Sequence, residues 1–212
     1  KNDIKSVNSS LKNYLSQGPK LNEFENKSSN YFRAKYCTAV SSATAGLHLA
    51  ILSLNLEKNS IVFLPALTFV ATANVCLYAG LKIKLVDICQ NTFNMNLNEL
   101  EIKLSKLGKK EKKKRKLIIP VHFGGLPCDM KKVKKIASKY NCYILEDASQ
   151  AMGSKFNGKL IGNCNYSDAC IFSLHPVKSI TTGEGGLILT NKKKMSDKTK
   201  LLRSHGLKKD NK

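Results

Sequence analysis

The chain has 212 residues, with 36 Lys and Arg against 15 Asp and Glu, and a formal net charge of +21 at pH 7. That length can bury a core of its own, and no apolar run is long enough to span a bilayer, so no membrane insertion is expected. The seven cysteines are scattered, odd in number and form no Cys-x-x-Cys, which argues against a zinc site or disulfide framework and for reduced thiols in a cytoplasmic protein.

The charge invites a nucleic-acid reading. Much of the excess lies in Lys103 to Lys116 and from Lys192 onward. Neither stretch interleaves aromatics on which bases could stack. A lysine-rich surface that attracts anionic ligands is the expectation, with no nucleic acid as partner. A basic binding module is the alternative.

Ile4, Val7, Leu11 and Leu15 recur at helical spacing and predict an amphipathic helix over 4–16, ended by Gln17-Gly18-Pro19. No apolar segment of the signal-peptide kind follows the first residues. A second helix is expected from Leu21 to Phe32. Tyr36 to Val40 reads as a short strand, followed by the small-residue turn Ser41-Ser42-Ala43-Thr44-Ala45-Gly46 and a helix carrying Leu47, Leu49, Ala50 and Leu54. Such a turn offers free N–H groups and the positive end of a helix dipole to a phosphate. An ordinary N-cap by Ser42 or Thr44 is the plainer account.

Ile61 to Leu64 is a buried-strand signal stopped by Pro65. Phe69 stands where the chain enters a helix from Val70 to Ala79, a position usually filled by plain core. Ile83 to Asp87 is the next strand, and Asn96 begins a helix over Leu97 to Leu107. Leu117 to His122 reads as a strand, Phe123-Gly124-Gly125-Leu126-Pro127 as a turn, and Asp129 as the cap of a helix through Tyr140. Strands and helices alternating at this spacing predict βαβ units and a parallel sheet.

Cys142 to Asp147 is a further strand. Ligands of open α/β sheets bind beyond the carboxyl ends of the strands, where Asp147 lies. A carboxylate at the edge of a core must be paired or hydrogen-bonded, and a helix N-cap would meet that need equally well. Gly153 to Asn165 reads as a polar hairpin with Gly158 and Gly162 at turns. After the strand Ala169 to Phe172 comes Ser173-Leu174-His175-Pro176-Val177-Lys178, then Gly183-Glu184-Gly185-Gly186 and the apolar run Leu187-Ile188-Leu189. Pro176 rules out a regular helix, and the glycines allow close backbone approach. Lys178 therefore sits on a constrained loop, which suits a Schiff-base nucleophile that must be aimed and partly desolvated. A solvated lysine is the plainer account in so lysine-rich a chain. A basic helix begins near Lys192 and reaches Ser204-His205-Gly206.

Four of these segments, in this order, resemble the DegT-type nucleotide-sugar aminotransferases, which use pyridoxal phosphate (PLP). They are the Ser-Ala-Thr turn, the aromatic before a helix, Glu146-Asp147-Ala148-Ser149-Gln150-Ala151, and the lysine after Ser-x-His-Pro-Val. The resemblance runs over nearly the whole chain. It implies an α/β fold, the large domain of a fold-type-I PLP enzyme. Three α/β/α layers would surround a mostly parallel seven-stranded sheet whose antiparallel strand follows the glycine cluster. Residues 1–30 would be an N-terminal helical segment and 31–212 the PLP-binding large domain.

The resemblance also implies roles. Lys178 would hold PLP and then shuttle a proton, and Asp147 would sit beside the pyridine nitrogen. Gln150 would lie by the ring hydroxyl, Phe69 would stack on the ring, and Ala43, Thr44 and Ser173 would bind the phosphate. No metal is implied. Glu146 points the other way from Asp147 and is expected to be structural. Dehydratase relatives carry histidine in place of the lysine. Here Lys178 stands at the matching position, so transamination is the expectation, and His175, three residues earlier, is read as packing the loop. The loop is closest to that of the pseudaminic acid branch, which implies a UDP-linked 4-keto-6-deoxy sugar as acceptor, L-glutamate as donor and a homodimer for the full-length protein. Family chains are longer, so a fragment, inactive by itself, is expected. A non-catalytic PLP domain is the competing expectation.

Overall fold

The structure, a computed structural model, describes residues 2–12 and 17–207. Helices α1 (Asn2–Leu11) and α2 (Pro19–Phe32) lead into β1 (Tyr36–Val40) and α3 (Ala43–Ser53). Then follow β2 (Ile61–Pro65), α4 (Val70–Tyr78), β3 (Lys82–Val86), α5 (Leu97–Ser105) and α6 (Lys109–Lys113). The chain continues through β4 (Lys116–Ile118), α7 (Met130–Lys139) and β5 (Cys142–Asp147). It closes with the hairpin β6 (Lys155–Phe156) and β7 (Lys159–Leu160), then β8 (Ala169–Ser173), β9 (Gly186–Thr190) and α8 (Lys193–Arg203).

Seven strands form one sheet in the order β1-β9-β8-β5-β4-β2-β3. The pairings from β3 through β8 are parallel, and β9 runs antiparallel to both β8 and β1. The expected antiparallel strand after the glycine cluster is therefore β9. Strand alternation divides the core in two. Val62, Leu64, Leu117, Leu145, Ile171 and Ile188 pack with α3 and α4 on one face. Phe63, Ile118 and Ile144 meet α5 and α7 on the other, where Phe172, Leu187 and Leu189 meet the end of α2 and the hairpin. Helices thus cover both faces, giving three layers. Full burial of each such side chain contributes about 1.5–3 kcal/mol.

Several boundaries differ from the sequence reading. Helix α1 ends at Leu11, and the Leu15 position of the predicted periodicity lies outside the described residues. Helix α3 starts at Ala43, because Ser42 caps it by accepting the Ala45 N–H at 3.1 Å; the small residues are its first turn. Helix α5 ends at Ser105, and part of the lysine run forms α6, whose Glu111 accepts the Gly108 N–H at 3.2 Å. Strand β4 stops at Ile118, short of the expected His122, because Pro120 has no N–H to give to a ladder. Its carbonyl instead accepts the Asp147 N–H at 2.9 Å and keeps the chain beside β5.

Gly186 shows how tightly the site's frame is packed. A Cβ at this position would lie 2.6 Å from the Ser42 carbonyl carbon and 2.7 Å from the Ala43 nitrogen. Backbone on both sides of that contact leaves nothing flexible to yield. Gly186→Ala should lower stability by about 1–3 kcal/mol through overpacking, read as a drop in thermal midpoint. An unchanged midpoint would show that β9 and the start of α3 are free to separate.

Candidate functional site

Strands β1, β2, β4, β5 and β8 run the same way, so their carboxyl ends share one edge of the sheet. A cavity of about 250 Å³ opens there. Ala43, Thr44, Phe69, Asp147, Gln150, Ser173 and Lys178 all line it, drawn from four separate stretches of chain.

Alternation along β5 sends Asp147 to the cavity side and Glu146 to the opposite face. Asp147 is 5% exposed. Its Oδ2 accepts the Thr72 hydroxyl at 2.8 Å, and Thr68 in turn donates to Thr72 at 3.0 Å. Its Oδ1 accepts the Ser149 hydroxyl at 2.6 Å and the Ser149 N–H at 3.1 Å. Both oxygens are thus held and the carboxylate keeps one orientation toward the cavity. No helix starts here, so Asp147 is not an N-cap; the Ser149 bond closes an Asx turn. Glu146, also buried, accepts from the Ser167 hydroxyl and contacts His122 Nε2 at 3.0 Å. It has the structural surroundings expected of it.

The first N–H groups of α3, those of Ala43 and Thr44, lie before any intrahelical partner and at the positive end of the helix dipole. Ser173, at the end of β8, lines the cavity with them and accepts the His175 N–H at 3.3 Å, which leaves its own proton to give. Phe69 precedes α4 and is 73% exposed, its ring at the cavity rather than in the core. The amide oxygen of Gln150 accepts the Gly124 N–H at 2.7 Å, so its NH2 end is the one left to offer.

Lys178 is half-buried on the loop 174–185. Several bonds brace that loop internally. Leu174 N–H donates to Gly185 O at 2.9 Å, Thr181 Oγ1 to Leu174 O at 2.9 Å, and Lys178 N–H to His175 O at 2.9 Å. His175 Nδ1 accepts the Val177 N–H at 3.3 Å, and its Nε2 stands 3.7 Å from Glu184 Oε1. His175 thus braces the loop while also lining the cavity.

Sequence reasoning missed Thr68, Thr72, Ser149 and Gly124. The pair Thr68-x-x-x-Thr72 is a one-turn hydroxyl ladder, yet its partner Asp147 lies 75 residues from Thr72. Burial pushes the thiols of Cys37, Cys76 and Cys142 up to about 12 and raises those of Cys164 and Cys170 as well, so these five are poor competing nucleophiles. Among the described residues, no group of three or more His, Cys, Asp or Glu converges as a metal site would need, and no helix is long and apolar enough to cross a membrane.

Thr72→Val keeps the shape and removes the donor to Asp147. A buried acceptor left short of a partner costs about 1–3 kcal/mol, which thermal unfolding should report. A neutral result would mean that Thr72 does not hold the carboxylate.

The chain matches the DegT/DnrJ/EryC1/StrS aminotransferase family over residues 1–212. It is 41% identical over 210 residues to the UDP-4-amino-4,6-dideoxy-N-acetyl-beta-L-altrosamine transaminase of Campylobacter jejuni, covering 97% of this chain and 53% of that protein. It is 36% identical over 192 residues to the GDP-perosamine synthase of Escherichia coli O157:H7, covering 91% and 50%. The structure of Helicobacter pylori PseC, an aminotransferase involved in the biosynthesis of pseudoaminic acid, superposes with a TM-score of 0.89 at 31% identity, covering 100% of this chain and 55% of PseC. Structural neighbours carry the cofactor in its pyridoxamine phosphate form. The chain spans about half the length of the curated relatives it matches. Its seven-stranded sheet is that of the large domain of fold-type-I PLP aminotransferases. The chain belongs to the DegT/DnrJ/EryC1/StrS aminotransferase family.

Proposed function

We propose that the protein to which this chain belongs moves an amino group from L-glutamate to the 4-keto carbon of a UDP-linked 4-keto-6-deoxy sugar of the AltNAc type, as a step toward pseudaminic acid in surface polysaccharides. PLP would be the cofactor. The observation that carries the reading is the meeting of Lys178, Asp147 and the α3 N-terminus at one cavity.

The residues fit the cofactor. A phosphate dianion suits the N–H groups of Ala43 and Thr44 with the Ser173 hydroxyl beside them. A flat aromatic ring suits Phe69 at the mouth. A pyridinium nitrogen suits a fixed carboxylate, and Asp147 is one. The NH2 of Gln150 suits a ring oxygen.

When bound, PLP supplies an electron sink for the carbon that loses its proton. Lys178 would have two tasks: its amine would hold the cofactor at rest and, once released, would move the proton at the reacting carbon. Asp147 would pair with the ring nitrogen and favour its protonated form, and Thr72 and Ser149 keep Asp147 aimed. The basic surface, with its +21 net charge, draws in a nucleotide diphosphate. Similarity to the Campylobacter enzyme favours UDP and the altrosamine precursor. Similarity to a GDP-perosamine synthase makes the GDP sugar the competitor to test.

Lys178→Ala should remove the visible absorbance band that borohydride bleaches and abolish transamination, with the circular dichroism spectrum unchanged. A variant turning over keto sugar at the parent rate would refute the assignment. Asp147→Asn should keep PLP but slow single-turnover chemistry on the order of 100-fold or more, since an amide cannot hold the pyridinium charge. Parent kinetics in that variant would leave Asp147 a purely structural part. In a side-by-side assay the enzyme should prefer UDP-2-acetamido-2,6-dideoxy-L-arabino-hexulose. Preference for its D-xylo epimer or for a GDP-linked keto sugar overturns the substrate.

A further inference from the structure

His122 is fully buried, although its two ring nitrogens and its neighbours are polar. It lies just past β4, where Val121 bridges Asp147 and the His122 N–H donates to Asp147 O at 3.1 Å. Val121 lines the cavity, and His122 points to the opposite face, as Glu146 does. There Nε2 meets Glu146 Oε2 at 3.0 Å, and Glu146 Oε1 accepts from Ser167. The Cys128 N–H is aimed at Nδ1 at 3.1 Å, which assigns the ring proton to Nε2.

The turn that follows is closed by His122 at two points. Its carbonyl accepts the Gly125 N–H at 3.1 Å, and its ring accepts from Cys128. Asn94 adds a third tie, taking the Phe123 N–H at 3.0 Å and giving to Leu126 O at 3.0 Å. Inside the turn, Gly124 and Gly125 hold positive φ, at 59° and 85°. A Cβ on Gly125 would lie 2.8 Å from the Gln150 carbonyl oxygen. The product of this folding is one N–H, that of Gly124, directed at the side-chain oxygen of Gln150.

We propose that His122 is a positioning residue for the amino-transfer site. Clamped by Glu146 on one side and Cys128 on the other, its ring holds the turn 123–128 so that Gly124 captures the amide oxygen of Gln150 and turns the NH2 toward the cavity. Without the ring the turn keeps the Asn94 ties and its backbone bonds but loses the Cys128 anchor, which loosens Gly124 and lets the amide rotate and present an acceptor to the cofactor's ring oxygen. The inference rests on the reading of Gln150 as a cofactor contact. Behind that contact it adds a relay from the buried Ser167, Glu146 and His122 out to the exposed Gly124 and Gln150.

The test measures PLP affinity by absorbance titration and amide hydrogen exchange across 122–128, in the same chain. His122→Leu should weaken PLP about tenfold, the size of one lost hydrogen bond, and speed exchange of the Gly124 amide. Gln150→Ala should weaken PLP similarly, and adding His122→Leu to it should cost little more, because one acts through the other. Glu146→Gln should rescue: its oxygen still accepts from His122 and its NH2 can donate to Ser167, so affinity and exchange should match the parent. Glu146→Leu should behave like His122→Leu, and this pair decides the matter if His122→Leu does not fold. Unchanged Gly124 exchange in His122→Leu, additive losses in the double variant, or a Glu146→Gln as damaged as Glu146→Leu would each overturn the relay. If Gln150→Ala alone leaves PLP affinity at the parent value, the cofactor reading of Gln150 fails. The exchange data then still judge whether His122 holds the turn.

Discussion

The structure turns on two adjacent carboxylates at the end of a buried strand. A strand sends successive side chains to opposite faces, so Asp147 and Glu146 cannot both face one side. Each enters a region where an unpaired charge is costly, and each has its own set of donors: Thr72 and Ser149 for Asp147, His122 and Ser167 for Glu146. The two sets come from different layers. Helix α4 serves one face, and the turn after β4 with the segment before β8 serves the other. Meeting both needs fixes the position of β5 relative to almost everything around it.

Much of this was legible in the sequence. The strand signals at Tyr36, Ile61, Cys142, Ala169 and Gly186 are short apolar runs bounded by turn residues, and strands covered on both faces have little choice but to read that way. Asp129 and Asn96 announced helices, since a side-chain oxygen just before an apolar periodicity has few other uses; they cap α7 and α5 as expected. The cavity residues were named by the family resemblance, and parallel topology, which gathers strand ends at one edge, explains why they meet.

What stayed hidden depends on contacts distant in sequence. Thr72 looks like any helical threonine until α4 is laid beside β5. Phe69 reads as core because apolar character alone does not say that a loop presents it outward. His122 reads as the last residue of a strand, and only the arrival of Glu146 and Cys128 makes it the hub of a turn. The end of β4 was misjudged for a related reason. Ile119, Pro120 and Val121 are as apolar as the strand before them, and the break lies in the hydrogen-bond accounting, where proline has nothing to donate.

The single antiparallel strand explains why Lys178 can reach the same cavity as Asp147. Had β9 been parallel to β8, the connection would have needed a crossover that carries the chain to the opposite edge of the sheet and back. An antiparallel return keeps the whole of loop 174–185 at the carboxyl edge, and its internal bonds spare it from wandering. The return then lays Gly186 directly against Ser42 and Ala43, with β9 paired to β1. One hairpin therefore sets the lysine and supports the helix N-terminus facing it. The glycine cluster Gly183-Glu184-Gly185-Gly186 is where both demands fall: Gly185 has a φ of 159° and Gly186 meets backbone at 2.6 Å. A side chain at Gly186 would push the loop and the α3 turn apart together. The spacing between Lys178 and the N–H groups of Ala43 and Thr44 is thus a property of the sheet's order rather than of the loop alone.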